Sequence, residues 1–243
     1  MRYSLYCFCV NFWQVSVTLF YHLVRLWGVD ALAERSVDNK DTITSEDDCL
    51  PSLGIVSETK MNTLVLLSGG IDSSCCVAFY RRMEHAVTGV FVDYGQPVRQ
   101  KEQQSAKAIA DYFSIPLHVI RCSGPETEFE GEIAGRNALL VFAALLYHPT
   151  FSGFLALGIH GGVSYYDCSE HFATALNGVL SGYRDGQVLM ATPFLHWSKQ
   201  KVYDLCSELK VPADLTWSCE LGPFEPCGRC LSCRDREHFH VCT

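Results

Sequence analysis

From residue 61 onward the chain alternates short β-branched or aliphatic runs with longer mixed stretches, whereas the first 60 residues keep neither period. An apolar run at 63–67 stops at Ser68-Gly69-Gly70, and 73–83 reads as a helix. A second β-branched run, 87–92, precedes a polar helix over about 100–112. Further strands are expected at 117–121, 154–159 and 187–191. Helices are expected at 137–147, which is strongly apolar, at 170–180, and from an N-cap at Ser198 to about 209. Strands alternating with helices through short turns imply a parallel sheet covered on both faces. The expected fold is therefore a doubly wound α/β domain with a five-stranded parallel sheet over residues 61–243. No internal repeat or low-complexity tract interrupts it.

Residues 1–60 read as an extension ahead of that domain. Segment 3–24 is uncharged, but Asn11, Gln14, Ser16, Thr18 and His22 break it up, and a membrane helix wants about 20 predominantly apolar residues. Arg2, the apolar stretch and Ala31-Leu32-Ala33 have the layout of a secretory signal. An interfacial or partner-binding helix has a similar composition. An extension from an upstream start, with the domain opening at Met61, is the plainest reading. Glu34, Asp38, Asp41, Glu46, Asp47 and Asp48 leave residues 34–60 without a core face.

Composition narrows the function. The 243 residues are 48% apolar and 19% charged with a net charge of -8, which fits neither a disordered polymer nor a basic nucleic-acid coat. Thirteen cysteines, an odd number, are too unevenly spread for a disulfide scaffold. Cys219, Cys227, Cys230 and Cys233 crowd together, and the two-residue spacings let three sulfurs converge from one turn. Four thiolates at about 2.3 Å complete a tetrahedral zinc site, closed and structural, with one ion per chain. Pro226 and Gly228 suit the turn of such a knuckle over 217–236, and Arg229 and Arg234 can offset the thiolate charge. A redox Cys-x-x-Cys pair is the alternative, although four cysteines exceed what a dithiol needs. Zinc knuckles also bind RNA, but an acidic chain without interleaved aromatic and basic residues gives no reason to expect direct nucleic-acid contact. Reduced thiols point to the cytoplasm. Cys75 and Cys76 read as core, Cys168 as a pocket edge, Cys242 as a spare, and Cys7, Cys9 and Cys49 belong to the extension.

The stretch Leu67-Ser68-Gly69-Gly70-Ile71-Asp72-Ser73-Ser74 lies where the first strand hands over to a helix. Paired glycines let several N–H groups converge, and the helix N-terminus adds positive potential, so the loop suits a phosphate. Ser68, Ser73 and Ser74 offer hydroxyl donors, and Asp72 can hold a Mg2+ that bridges phosphate oxygens. A plain strand-to-helix turn rich in small residues has the same look, and no Gly-Lys-Ser/Thr ending is present. Asp93 and Tyr94 close the second strand, at the edge where open α/β sheets bind ligands. Arg136, after Gly135, precedes the apolar helix, where a guanidinium fits phosphate or carboxylate or is simply solvated. Lys199 opens a helix, a place unfavourable to a cation unless an anion binds nearby. His160 follows a strand and reads as a satisfied polar residue that can also face the pocket.

Ser-Gly-Gly-x-Asp-Ser-Ser resembles the pyrophosphate loop of the N-type ATP pyrophosphatases, the adenine nucleotide alpha hydrolase-like fold. Val92-Asp93-Tyr94-Gly95-Gln96, Ala134-Gly135-Arg136-Asn137, Tyr166-Asp167-Cys168, Thr192-Pro193-Phe194 with Lys199, and Trp217-Ser218-Cys219 with the run 226–233 follow in order. Together, over about residues 61–239, they are similar to the 7-cyano-7-deazaguanine synthase (QueC) family. The resemblance implies ATP-dependent conversion of 7-carboxy-7-deazaguanine and ammonia to a nitrile through an amide, with ATP, Mg2+ and Zn2+. It implies Ser68, Gly69, Gly70, Asp72 and Ser73 at pyrophosphate and magnesium, Arg136 and Lys199 at phosphate or carboxylate, and Asp167 at the deazaguanine or incoming amine. A homodimer is also in keeping with it.

The chain departs from the family pattern at three places. Pro97-Val98 replaces the usual Arg-His, Ser169 replaces the arginine after Asp-Cys, and the loop between Cys219 and Cys227 is short. Losses on the acceptor side bear on the nitrile-forming step more than on ATP activation. Paralogues in antiphage systems suggest a second reading, in which a deazapurine is joined to another amine such as a protein. A third, of a different class, is an ATP-binding interaction module without turnover.

Overall fold

Five parallel strands carry the fold: β1 (Asn62–Leu66), β2 (Ala86–Asp93), β3 (Leu117–Arg121), β4 (Gly153–Ala156) and β5 (Val188–Ala191). Their spatial order is β3-β2-β1-β4-β5, with Val65 paired to Gly89 on one side and Ala156 on the other. The computed structural model describes residues 60–122 and 132–239, which fall in the compact unit Ser57–Thr243. The expectations for residues 1–59 and for Cys242 lie outside these residues.

Alternation within β1 sorts its side chains onto two cores. Val65 and Leu67 pack with α1 (Ile71–Arg82), α2 (Arg99–Tyr112) and α5 (Lys199–Glu208); Leu64 and Leu66 pack on the other face with α3 (Arg136–Tyr147) and α4 (Glu170–Leu180). Side chains such as Phe91 and Leu155, 1% and 0% exposed, each contribute about 1.5–3 kcal/mol by leaving water. The sheet is thus doubly wound, as the strand and helix alternation implies. Cys75 and Cys76 are fully buried in the first core, as expected.

Two differences from the expected elements have physical causes. β4 ends at Ala156 rather than at residue 159, because Gly158 abuts α1: a Cβ there would sit 2.7 Å from the Asp72 carbonyl oxygen. A last helix, α6 (Leu231–His238), has no apolar stripe to announce it. It starts directly after Cys230 and is tied down by Arg236, buried at 6% exposure, whose Nη1 donates to Thr216 Oγ1 at 2.8 Å and Nη2 to the Ala213 carbonyl at 2.9 Å.

Candidate active site

The carboxyl ends of β1, β2 and β4 form one edge of the sheet, and the loop of residues 68–74 occupies its centre. Gly69 has φ +84 and its Cα faces the α2 backbone so closely that a Cβ would meet the Glu102 carbonyl oxygen at 2.5 Å. Gly70, the N-cap of α1, differs: φ is -75, and a Cβ would touch nothing nearer than Ser68 Oγ at 3.4 Å, Trp217 O at 3.6 Å and Ser218 Oγ at 3.7 Å. Neither backbone nor packing demands glycine there: a methyl would rest in ordinary van der Waals contact with three oxygens. Ahead of the Ser74 N–H to Gly70 carbonyl bond (3.0 Å), the first-turn amides of α1 are the ones a helix leaves unbonded. Donor amides and the helix end fit an anion such as a nucleotide phosphate.

Within this loop the hydroxyls divide. Ser74, 0% exposed, donates to the Gly70 carbonyl at 2.8 Å, and Ser73 donates to the same carbonyl at 3.0 Å while lying 3.1 Å from Ser68 Oγ. Leu67 and Ile71 are buried, so only their backbones line the loop. Ser68 accepts from the Gly70 N–H at 3.3 Å and keeps its position at the loop mouth.

Lys199, the first residue of α5, donates to Asp72 Oδ2 at 2.5 Å. Ser198 caps this helix as expected, accepting the Lys201 N–H at 3.3 Å. Asp72 Oδ1 is buried without a partner among the described residues, an acceptor arrangement that fits a cation such as Mg2+. His160 stands beside this pair, its Nδ1 accepting the Gly162 N–H at 3.0 Å.

A second group gathers around Arg136. Its positive charge acts on the Tyr94 hydroxyl and on Glu102 of α2, favouring their ionised forms. Burial pushes the Tyr94 hydroxyl pKa up, and Arg136 counters part of that rise. Asp93 Oδ1 accepts from the Gly95 N–H at 3.1 Å, while Gln96 holds the turn with Oε1 on the Tyr94 N–H at 2.9 Å and Nε2 on Glu102 Oε2 at 2.9 Å. Gly135, the N-cap of α3, is left-handed, which lets the chain enter the helix with Arg136 first. Asp167, 4% exposed, anchors this helix start: its carbonyl accepts from Asn137 Nδ2 at 3.0 Å, and its Oδ2 lies 3.4 Å from the Asn137 amide. Burial pushes the neighbouring Cys168 thiol up to about 11.

The four cysteines do converge. The Sγ atoms of Cys219, Cys227, Cys230 and Cys233 all lie within 4.8 Å of one another, and a tetrahedral zinc–thiolate site needs edges of roughly 3.8 Å. The donor set and spacing fit a zinc ion. Backbone amides supply the compensating charge: Cys219 Sγ accepts from the Gly222 and Cys227 N–H at 3.1 and 3.2 Å, and the amides of Arg229 and Cys230 hold the Cys227 thiol down to about 6. Arg234, expected to face the thiolates, instead donates through Nε to the Arg229 carbonyl at 3.0 Å.

Gln96, Glu102, Ser218 and Arg236 enter the site or its supports without a sequence signal of their own. Residue type gave no signal for Glu102 or Arg236, and Gln96 and Ser218 stood only inside longer motifs. A cavity of about 630 Å³ opens at the opposite, amino edge of the sheet, lined by His85, His118 and His148, away from the loop of residues 68–74 and the four cysteines.

A doubly wound parallel sheet with a glycine-serine loop after β1 and a four-cysteine cluster defines an α/β fold of the PP-loop class. A family model described as queuosine biosynthesis protein QueC matches residues 62–127 and 125–241. The chain belongs to the QueC family. It is similar to the 7-cyano-7-deazaguanine synthase of Prochlorococcus marinus strain MIT 9312, at 30% identity over 71% of this chain and 90% of the relative. The Brucella anthropi enzyme of the same name is 32% identical over 74% of this chain and 90% of its own. No helix among the described residues is long and apolar enough to cross a membrane.

Proposed function

We propose that this chain is an ATP-dependent ligase that converts 7-carboxy-7-deazaguanine and ammonia to 7-cyano-7-deazaguanine in the cytoplasm. The observation that carries the reading is the helix start at Gly70, bordered by the Ser68 and Ser218 hydroxyls, with the Asp72–Lys199 pair beginning two residues on. A carboxylate is a poor electrophile. Its oxygen attacks the α-phosphorus of ATP, the bond to the bridging oxygen breaks, and pyrophosphate leaves with the electron pair. The loop amides and Ser68 stabilise the leaving charge, and Lys199 turns from Asp72 to the phosphates. Mg2+, held by Asp72, would neutralise charge across the phosphate oxygens. Ammonia displaces AMP to give the amide and a proton; a second adenylation, on the amide oxygen, lets AMP and a proton depart as the nitrile forms. Arg136, beside Tyr94, binds the substrate carboxylate, and Asp167 orients the start of α3 that carries Arg136. One structural zinc fits Cys219, Cys227, Cys230 and Cys233.

A second reading, transfer of the activated deazapurine to another amine such as a protein, gains support at two positions. Val98 is 3% exposed within the fold, and Ser169 caps α4 by accepting the Phe172 N–H at 3.1 Å. Both serve the scaffold and bring no charge to the acceptor. Incubation with 7-carboxy-7-deazaguanine, ammonium and Mg-ATP, followed by mass spectrometry, separates the readings. Nitrile is the expected product; adenylate or amide alone would favour the second reading, and no AMP release would overturn both.

A further inference from the structure

β1 and β4 are neighbours in the sheet, yet α1 leaves β1 for one face and α4 follows β4 on the other. Their carboxyl ends therefore flank the switch point, the crevice where open α/β sheets bind ligands. The loop at 68–74 forms one wall. His160, four residues past β4, lies on the other wall and is 8% exposed.

The imidazole is held at one nitrogen only. Nδ1 accepts the Gly162 N–H at 3.0 Å, which places the proton of the neutral ring on Nε2, and Nε2 has no hydrogen-bond partner among the described residues. A Cβ on Gly162 would lie 2.8 Å from His160 Nδ1 and 3.6 Å from Lys199 Cβ, so the ring and the lysine stem are packed side by side. Asp72 and Lys199 are the charged groups that act on the ring most strongly after burial, and Asp235 of α6 follows. A largely buried ring with one nitrogen bonded, and the other reaching solvent within the field of the Asp72–Lys199 pair, can donate to an acceptor that arrives with a ligand.

We propose that His160 is a further nucleotide-contacting residue, its Nε2–H donating to an anionic oxygen of the triphosphate chain beside Lys199. This rests on the ATP reading above. The imidazole transfers no proton: as the α-phosphorus bond to the bridging oxygen breaks, negative charge grows on the departing pyrophosphate, and a donor already in place strengthens its bond there.

Two variants test the assignment. His160→Ala removes the donor, whereas His160→Gln returns an N–H near the Nε2 position. Mg-ATP binding by calorimetry, AMP release with 7-carboxy-7-deazaguanine and ammonium, and melting without nucleotide are measured for both. The expected result is an unchanged melting temperature, a kcat for AMP release about a hundredfold lower in His160→Ala with the KM for the carboxylate unmoved, and recovery of at least about tenfold in His160→Gln. Equal turnover and ATP affinity in wild type and His160→Ala would overturn it. So would equal losses in both variants accompanied by a lower melting temperature, the pattern of a structural residue. A wild-type chain that failed to bind Mg-ATP would overturn the nucleotide reading itself, and the donor role with it.

Discussion

The Trp217 amide donates to the Gly69 carbonyl at 2.9 Å, so the segment leading into the first of the four clustered cysteines is hydrogen-bonded to the loop after β1. The same segment is fixed on its other side, where Trp217 Nε1 donates to the Cys219 carbonyl at 3.1 Å. Ser218 stands between, its buried Oγ unpartnered among the described residues and turned toward Gly70. Metal removal is therefore expected to reach the nucleotide site. Cys230→Ser, or chelation followed by dialysis into Mg2+, should lower the melting temperature and weaken Mg-ATP binding about tenfold, roughly the worth of one net hydrogen bond. Metal content and calorimetry on the same samples check this, and zinc added back to the chelated protein should restore affinity.

Adjacent glycines give opposite outcomes. Gly69→Ala forces a Cβ to 2.5 Å from the Glu102 carbonyl oxygen at φ +84, and should destabilise the fold by about 3 kcal/mol or more in urea unfolding. Gly70→Ala meets no contact under 3.4 Å at φ -75, so its unfolding midpoint should stay near wild type. Its methyl stands at the helix start assigned to phosphate, and Mg-ATP affinity should fall at least tenfold. Equal nucleotide affinity in Gly70→Ala and wild type would refute that assignment.

Much of this arrangement is legible from local pattern. The apolar run at residues 63–67 and turn residues at 68–70 locate β1 and the loop, and the two-residue cysteine spacings foretell a convergent cluster. What is not legible depends on distant partners. Asp72 and Lys199, far apart in sequence, meet only because α1 and α5 pack on the same face of the sheet. α6 is polar on all sides, so periodicity cannot find it; its anchor is the Arg236 bond to Thr216, a tertiary contact. Likewise Ser74 looks like a phosphate donor in sequence, yet one turn of helix brings its hydroxyl back to the Gly70 carbonyl.

Glu102 gives the site a pH signature. Burial, the largest influence, raises its pKa above the ordinary 4.5; the Gln96 amide and Arg136 lower it in part, and Asp93 raises it. A carboxyl that holds its proton more tightly when folded contributes stability that is fully present below the unfolded value and is lost as pH rises through the folded one. Urea unfolding of wild type should thus show declining stability above pH 4.5 from this group. Glu102→Gln should remove that decline, matching wild type near pH 4 and exceeding it at pH 7 to 8. A parallel pair of profiles would show that Glu102 stays ionised at no cost.

The Asp72–Lys199 ion pair separates catalysis from binding. The side chains are 27% and 16% exposed, so solvent screens the pair only in part, and losing either partner should cost about 1–3 kcal/mol of stability. Nucleotide effects should diverge. Lys199→Met removes a cation from the phosphate site and should weaken ATP binding at least tenfold, with or without Mg2+. Asp72→Asn frees Lys199 from its carboxylate, so ATP alone should bind as well as to wild type or better. Without the carboxylate that fits Mg2+, however, the gain in affinity that Mg2+ brings should vanish, and AMP release should drop about a hundredfold. Calorimetry with ATP in the presence and absence of Mg2+, alongside AMP release, reads both effects. If Asp72→Asn kept full turnover and full Mg2+ dependence, the carboxylate would be no more than the resting counter-charge of Lys199, and the cation would have to be held elsewhere along the carboxyl edge.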